Sequence, residues 1–309
     1  PGSAGSSWYY LRYIDPDNDK EFADQKLLKH WMPVDLYIGG PEHAVGHLMY
    51  SRIWNRFLYN KGLSPVKEPF KKLVHQGMIL GSNGIKMGKR FPKYVVNPSD
   101  IVNQYGADTL RLYEMFMGAL EASKPWSDEG VAGARRFIVK VWNYFTNEDN
   151  LTDLNDEKLT KIYHQTVKKV TNDYETLGFN TAISQMMIFM NAAAREKCPR
   201  EYAEGFIKMF SCICPHVGEE IWSIFGHEET IAYEPWPVYD PEKCKDDVVE
   251  IGVQVNGKVR GRVTLAVDEA QDSAKEKALS DPAIAKCVEG KTVVKVIYIP
   301  AKILNIVVK

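Results

Sequence analysis

His43 and His47 stand four residues apart behind Glu42 and a Gly39-Gly40-Pro41 break, while Lys86 and Lys89 share the loop Ile85-Lys86-Met87-Gly88-Lys89-Arg90. On a helix the four-residue spacing points both imidazoles the same way, so with Glu42 they form a cluster able to orient a polar ligand. Lysine is a mobile point charge that follows phosphate oxygens as negative charge shifts during displacement at phosphorus. Each cluster also has a plainer reading. A histidine on a helix with Leu48, Met49, Ile53, Trp54, Phe57 and Leu58 is equally a hydrogen-bonded group at the core edge, and a short basic loop is commonly a solvated surface. Zinc is disfavoured: the order is EHxxxH rather than HExxH, and no Cys/His cluster supplies further ligands.

The elements that must hold these groups follow from the apolar pattern. Val34, Leu36 and Ile38 alternate with Asp35 and Tyr37 and stop at Gly39-Gly40, which reads as a strand meeting a turn. Pro41 suits the first position of a helix, and Glu42 falls in its first turn, where the macrodipole favours an anion. Ligands of open α/β sheets bind beyond the carboxyl ends of strands, so this junction presents Gly40, Glu42, His43 and His47 together. Leu73 to Leu80, LVHQGMIL, reads as a second strand, followed by Gly81-Ser82-Asn83-Gly84 and the lysine loop.

Taken together, YIGGPEHAVGHLMYSRIW, QGMILG, KMGKR, VVNPSDIV and YGADTLRLYEMFMG, in this order, resemble the second half of the catalytic domain of the bacterial leucyl-tRNA synthetases, a class I family. The lysine loop matches that family's KMSKS signature, and AGSSWYYLRYIDP resembles the segment that re-enters the catalytic core after the editing insertion. Isoleucine and valine enzymes carry Asp-Gln where this chain has Glu42-His43, which favours leucine. The resemblance implies that Ser6, Tyr9, His43 and His47 line the leucine side-chain pocket. By the same likeness Gly40 and Glu42 hold the ribose, and Met78 and Ile79 offer backbone to adenine. Lys86 and Lys89 are the signature lysines, with Lys89 touching the departing pyrophosphate. It further implies ATP with Mg²⁺ as substrate, leucine and its tRNA as partners, and no metal bound by the protein itself.

Two departures from the family pattern stand out. Gly88 and Arg90 replace the signature's serines, and Phe91-Pro92-Lys93-Tyr94 is one residue longer than the family's Lys-Gly-Asn, with Pro92 stiffening the loop and Gly88 restoring freedom beside Lys89. No HIGH-like tetrapeptide occurs, so the expectation is a chain with half an active site, inactive alone, whose partner is the N-terminal catalytic half. The residues Pro1 to Gly5 do not read as a signal peptide. A different class I ligase, a partner subunit of a split class I synthetase, or a non-catalytic tRNA-binding module are the alternative readings.

Composition bounds the rest. At 309 residues, 45% hydrophobic and 26% charged, the chain can bury a sizeable core and is expected to divide into domains. No run is apolar enough to span a membrane, and five scattered cysteines suit reduced thiols, so a cytoplasmic protein is expected. A net charge of −1 gives no global pull toward nucleic acid, so tRNA contact must rest on local basic patches.

The expected fold is α/β, then α, then α+β. Residues 1–126 form the second half of a Rossmann-like catalytic domain, and 127–240 an anticodon-binding-type helical bundle. Residues 246–309 form a small tRNA-contacting domain. Helical spacing runs over Ala134 to Phe145, Asp156 to Leu177, Asn180 to Arg195 and Arg200 to Phe225, with Cys212-Ile213-Cys214 packed within the last of these. Met186, Met187, Phe189 and Met190 read as core, and Arg135, Arg136 and Lys140 as candidate backbone contacts for tRNA. Alternation from Val249 to Val255 meets Asn256-Gly257, a strong hairpin signal. On the return strand Lys258, Arg260 and Arg262 are expected on one face, with Val259 and Val263 on the other, a three-cation row for phosphates. A helix from Glu269 to Leu279 then leads to strands Val293 to Ile299 and Ile303 to Val308.

Overall fold

Gly39-Gly40, Gly77 and Gly81 break the strand-forming apolar runs in the first third of the chain, so strands there are short and the elements between them carry the packing. The structure, a computed structural model, describes residues 4–154, 157–245, 248–267 and 269–309. Pro1–Tyr239 and Asp240–Lys309 form two compact units.

In the first unit, helices α1 (Tyr9–Arg12) and α2 (Gln25–Trp31) precede strand β1 (Tyr37–Gly39). The Asp24 carboxylate caps α2 by accepting from Lys26 and Leu27 N–H. A π-helical turn, Ala44–Met49, leads into α3 (Tyr50–Asn60), and then come β2 (Leu73–His75) and β3 (Ile79–Leu80). Tyr10, Leu11, Ala23, Leu28, Met32 and Leu58 make a small core between α1, α2 and α3.

Two expectations fail in this stretch. Leu73 to Leu80 is not one strand: β2 pairs in parallel with β1, while β3 pairs in parallel with β4 (Lys124–Pro125), further along the chain. The cause is Gly77, whose N–H donates to Leu120 O at 2.7 Å and whose missing side chain admits the Ala122 carbonyl. The helix expected from Pro41 also starts late. Pro41 and Glu42 occupy a turn in which His43 N–H donates to Gly40 O, and the first helical turn is of the wider π type, with helix-weakening Gly46 inside it. Nor are the alternating apolar residues core: Leu36 is 41% and Ile38 46% exposed.

Helices α4 (Pro98–Tyr105) and α5 (Ala107–Phe116) come before β4, and α6 (Asp128–Phe145) follows it. Asn97 and Ser127 side chains cap α4 and α6. Strand β5 (Leu151–Thr152), α7 (Glu157–Glu175), α8 (Phe179–Ala193), β6 (Cys198–Pro199), α9 (Arg200–Ser211) and α10 (Pro215–Ile224) complete the unit. Asp156, the expected start of α7, lies outside the described residues. Arg200 to Phe225 is two helices rather than one, because Pro215 opens a new helix; Cys212-Ile213-Cys214 therefore spans a break. Met186, Phe189 and Met190 are fully buried, and Leu112, Tyr113 and Trp126 share their cluster with Val131, Phe137 and Phe210. The boundary drawn at 126/127 thus falls inside one continuous core.

The second unit is a four-stranded mixed sheet in the order β8-β7-β10-β9. Its elements are β7 (Val248–Val255), β8 (Lys258–Ala266), α11 (Gln271–Leu279), α12 (Pro282–Val288), β9 (Val293–Ile299) and β10 (Ile303–Val308). Residue 246, the expected start of this domain, lies outside the described residues. Asn256 and Gly257 have φ of 49° and 77°, the left-handed pair that a two-residue hairpin needs. Ile251, Val253, Leu265, Leu304 and Ile306 form the core with Ala274, Ala278 and Ile284 of the two helices. Helix α12 was not expected from the sequence.

Candidate nucleotide and amino-acid site

Parallel pairing of β1 with β2 sets Gly39 beside His75, so Gly40 and Gln76 leave the sheet side by side. Two cavities open there. One, of about 550 Å³, is lined by Ser6, Tyr9, Tyr37, Gly40, His43 and His47 together with apolar Ile38, Leu48 and Leu73. The other, of about 410 Å³, is lined by Gly40, Glu42, Gln76, Gly77, Met78 and Ile79 on one side and by Glu114, Met115 and Lys124 on the other. Both are in the size range of small-molecule sites, and they share Gly40 and Gln76.

The first cavity brings Ser6, Tyr9, His43 and His47 into one wall, from segments far apart in sequence. The His47 ring lies between Tyr9 and Tyr37, at centroid distances of 5.9 and 5.7 Å, and Tyr37 stacks on Phe70 at 4.1 Å. Burial holds the His47 pKa below its ordinary 6.5, with His43 adding to the effect against an opposing backbone bond from Ser6. Nε2 of the ring is hydrogen-bonded to the Tyr37 hydroxyl, and Nδ1 lies 3.4 Å from Ser51 Oγ. Tyr9 and Tyr37 hydroxyls are 2.8 Å apart. Burial, reinforced by that bond, pushes the Tyr37 phenol upward, so it stays a neutral donor. His43 stands 6.5 Å from His47, ring centre to ring centre. The result is an apolar pocket with one polar wall.

The second cavity sits where the β1/β2 and β3/β4 pairs part. A Cβ at Gly40 would overlap the Glu42 carboxylate, which folds across the strand end; a Cβ at Gly77 would overlap the Ala122 carbonyl. Met78 lines the cavity, but its backbone is engaged: its N–H donates to Ser123 Oγ at 3.1 Å and its carbonyl accepts from Lys124 N–H at 3.0 Å. Lys124 Nζ donates to Gly118 O at 3.2 Å, and burial lowers its pKa.

Lys86 and Lys89 line neither cavity. Both are exposed, although the backbone of Lys86 bridges Leu80, next to cavity-lining Ile79, so the loop turns back to the cavity rim. Met87 anchors the loop against the main core and accepts a hydrogen bond from Val96 N–H at 3.4 Å.

Sequence reasoning missed Tyr37, Gln76, Glu114 and Lys124. Tyr37 reads in the sequence only as a residue of the alternating strand. A signal existed for Glu114, the only charge in the apolar run Leu112-Tyr113-Glu114-Met115-Phe116-Met117.

In the second unit the expected three-cation row does not form. The register shifts between Val253 and Gln254, so Lys258 sits opposite Val255, Val259 opposite Gln254 and Gly261 opposite Val253, leaving Arg260 as the extra residue of a bulge. One inserted residue reverses the alternation, and Arg262 shares its face with Val259 rather than with Lys258. All three cations remain exposed, and Arg262 Nη1 pairs with Glu250 Oε2 at 3.0 Å. Among the described residues no group of three His, Cys, Asp or Glu side chains is placed to hold a metal ion, and no helix is long and apolar enough to cross a membrane.

Comparison with known proteins adds three findings. Residues 16–124 match the family model for tRNA synthetases class I (I, L, M and V), and residues 156–276 match that for the anticodon-binding domain of tRNA ligase. The chain is also similar to a crystal structure of the ternary complex of Agrobacterium radiobacter K84 agnB2 LeuRS with tRNA and LeuAMS. The TM-score is 0.81 and the identity 30%, over 98% of this chain and 42% of that one.

Proposed function

Because the chain belongs to the class I tRNA synthetase family (I, L, M and V), with part of the catalytic region followed by an anticodon-binding domain, we propose that it supplies part of a leucine–tRNA ligase. It spans less than half the length of the LeuRS structure it matches. One observation carries the reading: an apolar pocket with a polar wall and a second cavity lined by strand-end backbone share Gly40 and Gln76. A single aminoacyl-adenylate has that shape, a side chain at one end, a nucleoside at the other and the phosphate between.

In this proposal Ser6, Tyr9, His43 and His47 surround the leucine side chain. Tyr37 and Ser51 hold His47 in one tautomer and orientation. Glu42 accepts from ribose hydroxyls beside Gly40, across which its carboxylate folds. Met78 and Ile79 flank the base. The leucine carboxylate attacks the α-phosphorus of ATP and pyrophosphate leaves, giving leucyl-adenylate; a terminal tRNA hydroxyl then attacks the leucyl carbonyl and AMP leaves. The protein's part is positioning and charge stabilisation. Lys86 and Lys89 act from the rim, so their loop must swing inward when the phosphates are present; Lys89 meets the leaving pyrophosphate.

A catalytic region that carries a HIGH-type motif completes the site. Ile53, Trp54 and Phe57 of α3, all at least 40% exposed, support a protein partner on this face. The helical bundle and the small sheet contact the tRNA for leucine, with Lys258, Arg260 and Arg262 on its phosphates.

Amino-acid-dependent ATP–pyrophosphate exchange by the intact enzyme tests the assignment. Leucine should support exchange at least about tenfold more efficiently than valine, one methylene shorter, since that difference in fit is worth roughly 1–3 kcal/mol, and should also be preferred over its isomer isoleucine and over methionine. A preference for any of the other three would reassign the pocket.

A further inference from the structure

Cavities that share residues have an order. The nucleoside cavity shares Gly40 and Gln76 with the amino-acid pocket, and it shares Glu114 and Met115 with a third cavity, lined also by Arg111, Tyr174, Phe179, Cys212 and Ile213. Glu114 therefore marks the end of the nucleoside cavity away from the amino acid. On the proposed reading, that is where the base of an adenylate comes to rest.

Glu114 is chemically unsettled there. It is half-buried, and its carboxylate has no hydrogen bond or ion pair among the described residues. Arg111, one turn earlier on α5, acts on it only through its charge, since its guanidinium donates to Ile213 O at 2.8 Å and to Cys212 O at 3.1 Å. Lys124, across the cavity, gives one N–H to Gly118 O and makes no ion pair with Glu114. Withdrawal from water raises the Glu114 pKa, and the charge of Arg111 offsets only part of that rise. A carboxylate in this position wants an N–H from a ligand. Met78 N–H is already committed to Ser123 Oγ, and its carbonyl, which accepts from Lys124 N–H, has one lone pair left.

We propose that Glu114 is a specificity-determining residue that accepts a hydrogen bond from the exocyclic amine of a 6-aminopurine and so selects adenine over 6-oxopurines. The inference rests on the nucleoside reading of this cavity. A 6-oxopurine turns a carbonyl oxygen toward the carboxylate, and two acceptors face each other. The side chain of glutamine presents both an acceptor and a donor, and so accommodates either base.

The test compares ATP with ITP in amino-acid-dependent pyrophosphate exchange, and AMP with IMP in direct titration, using the intact enzyme and its Glu114→Gln and Glu114→Ala variants. The wild-type enzyme should favour the 6-amino nucleotide by about tenfold or more, and Glu114→Gln should bring that ratio close to one with the KM for the amino acid unchanged. Glu114→Ala should lose affinity for the 6-amino nucleotide specifically. An unchanged preference in Glu114→Gln, in an enzyme that still binds AMP, would overturn the role of Glu114 and leave the cavity assignment standing. Failure of the wild-type enzyme to bind AMP or IMP, or binding that Gly77→Ala does not weaken, would overturn the cavity assignment and this inference with it.

Discussion

The cavity region of the first unit and the sheet of the second are built on opposite plans. Around the cavities the strands β1 to β4 are two or three residues long, and the space is shaped by backbone approaching backbone at Gly77 and by Glu42 folding over Gly40. In the small unit strands of six to nine residues alternate into a core of Ile251, Val253, Leu265, Leu304 and Ile306, and the functional candidates are mobile cations on its surface. On the proposed reading, precise chemistry is housed where regular structure is interrupted. Regular structure serves where only charge is needed, because long-range attraction to phosphates tolerates a misplaced side chain and in-line displacement does not.

Breaking each plan should have different consequences. The largest effect expected is from Lys89→Ala in the intact enzyme, which should slow ATP–pyrophosphate exchange about a hundredfold or more while leaving thermal unfolding unchanged, since the side chain is exposed. Normal exchange would remove Lys89 from the mechanism.

Gly77→Ala attacks the cavity through its backbone. The added methyl meets the Ala122 carbonyl, which cannot rotate away, so a loss of roughly 1–3 kcal/mol in stability and weakened AMP binding are expected by thermal melting and titration. The corresponding change at Gly252, on an open face of the small sheet, should cost far less.

Tyr37→Phe sharpens the division within the site. It strands His47 Nε2 and the Tyr9 hydroxyl, so leucine binding should weaken by about 1 kcal/mol while AMP binding holds. His47 also predicts a pH response. Its folded-state pKa lies below the ordinary 6.5, so the folded protein resists protonation and loses stability as pH falls from near 6.5 toward the depressed value. His47→Gln should flatten that part of the unfolding free energy against pH.

The smallest effect belongs to the small unit. Replacing Lys258, Arg260 and Arg262 together should lower the salt dependence of tRNA binding by about two charges rather than three, because Arg262 is already paired with Glu250. A full three-charge change would mean that the ion pair opens on the tRNA.

Legibility in the sequence divides along the same line. The hairpin at Asn256-Gly257 and the strands Val293–Ile299 and Ile303–Val308 are readable because alternation and turn chemistry act locally. One bulge at Arg260 was enough to spoil the face assignment of the cations, since alternation carries no trace of an inserted residue. In the first unit the reactive residue types stood out, and Ser6, Tyr9, His43 and His47 do meet in one cavity. The supporting geometry did not: the break at Gly77 depends on Ala122, and the tethering of His47 depends on Tyr37, neither of which local pattern reveals. The position of Glu114 depends on how α5 packs across the cavity from β3, a long-range contact.

The central claim is that one aminoacyl-adenylate lies across the two cavities with its phosphate at Gly40 and Gln76. A crystal structure of the intact enzyme with the leucyl-adenylate analogue LeuAMS tests it most directly. The account predicts the leucyl side chain among Tyr9, His43 and His47 and the adenine beside Met78 and Glu114. An analogue seated outside these cavities, or reversed between them, would contradict it.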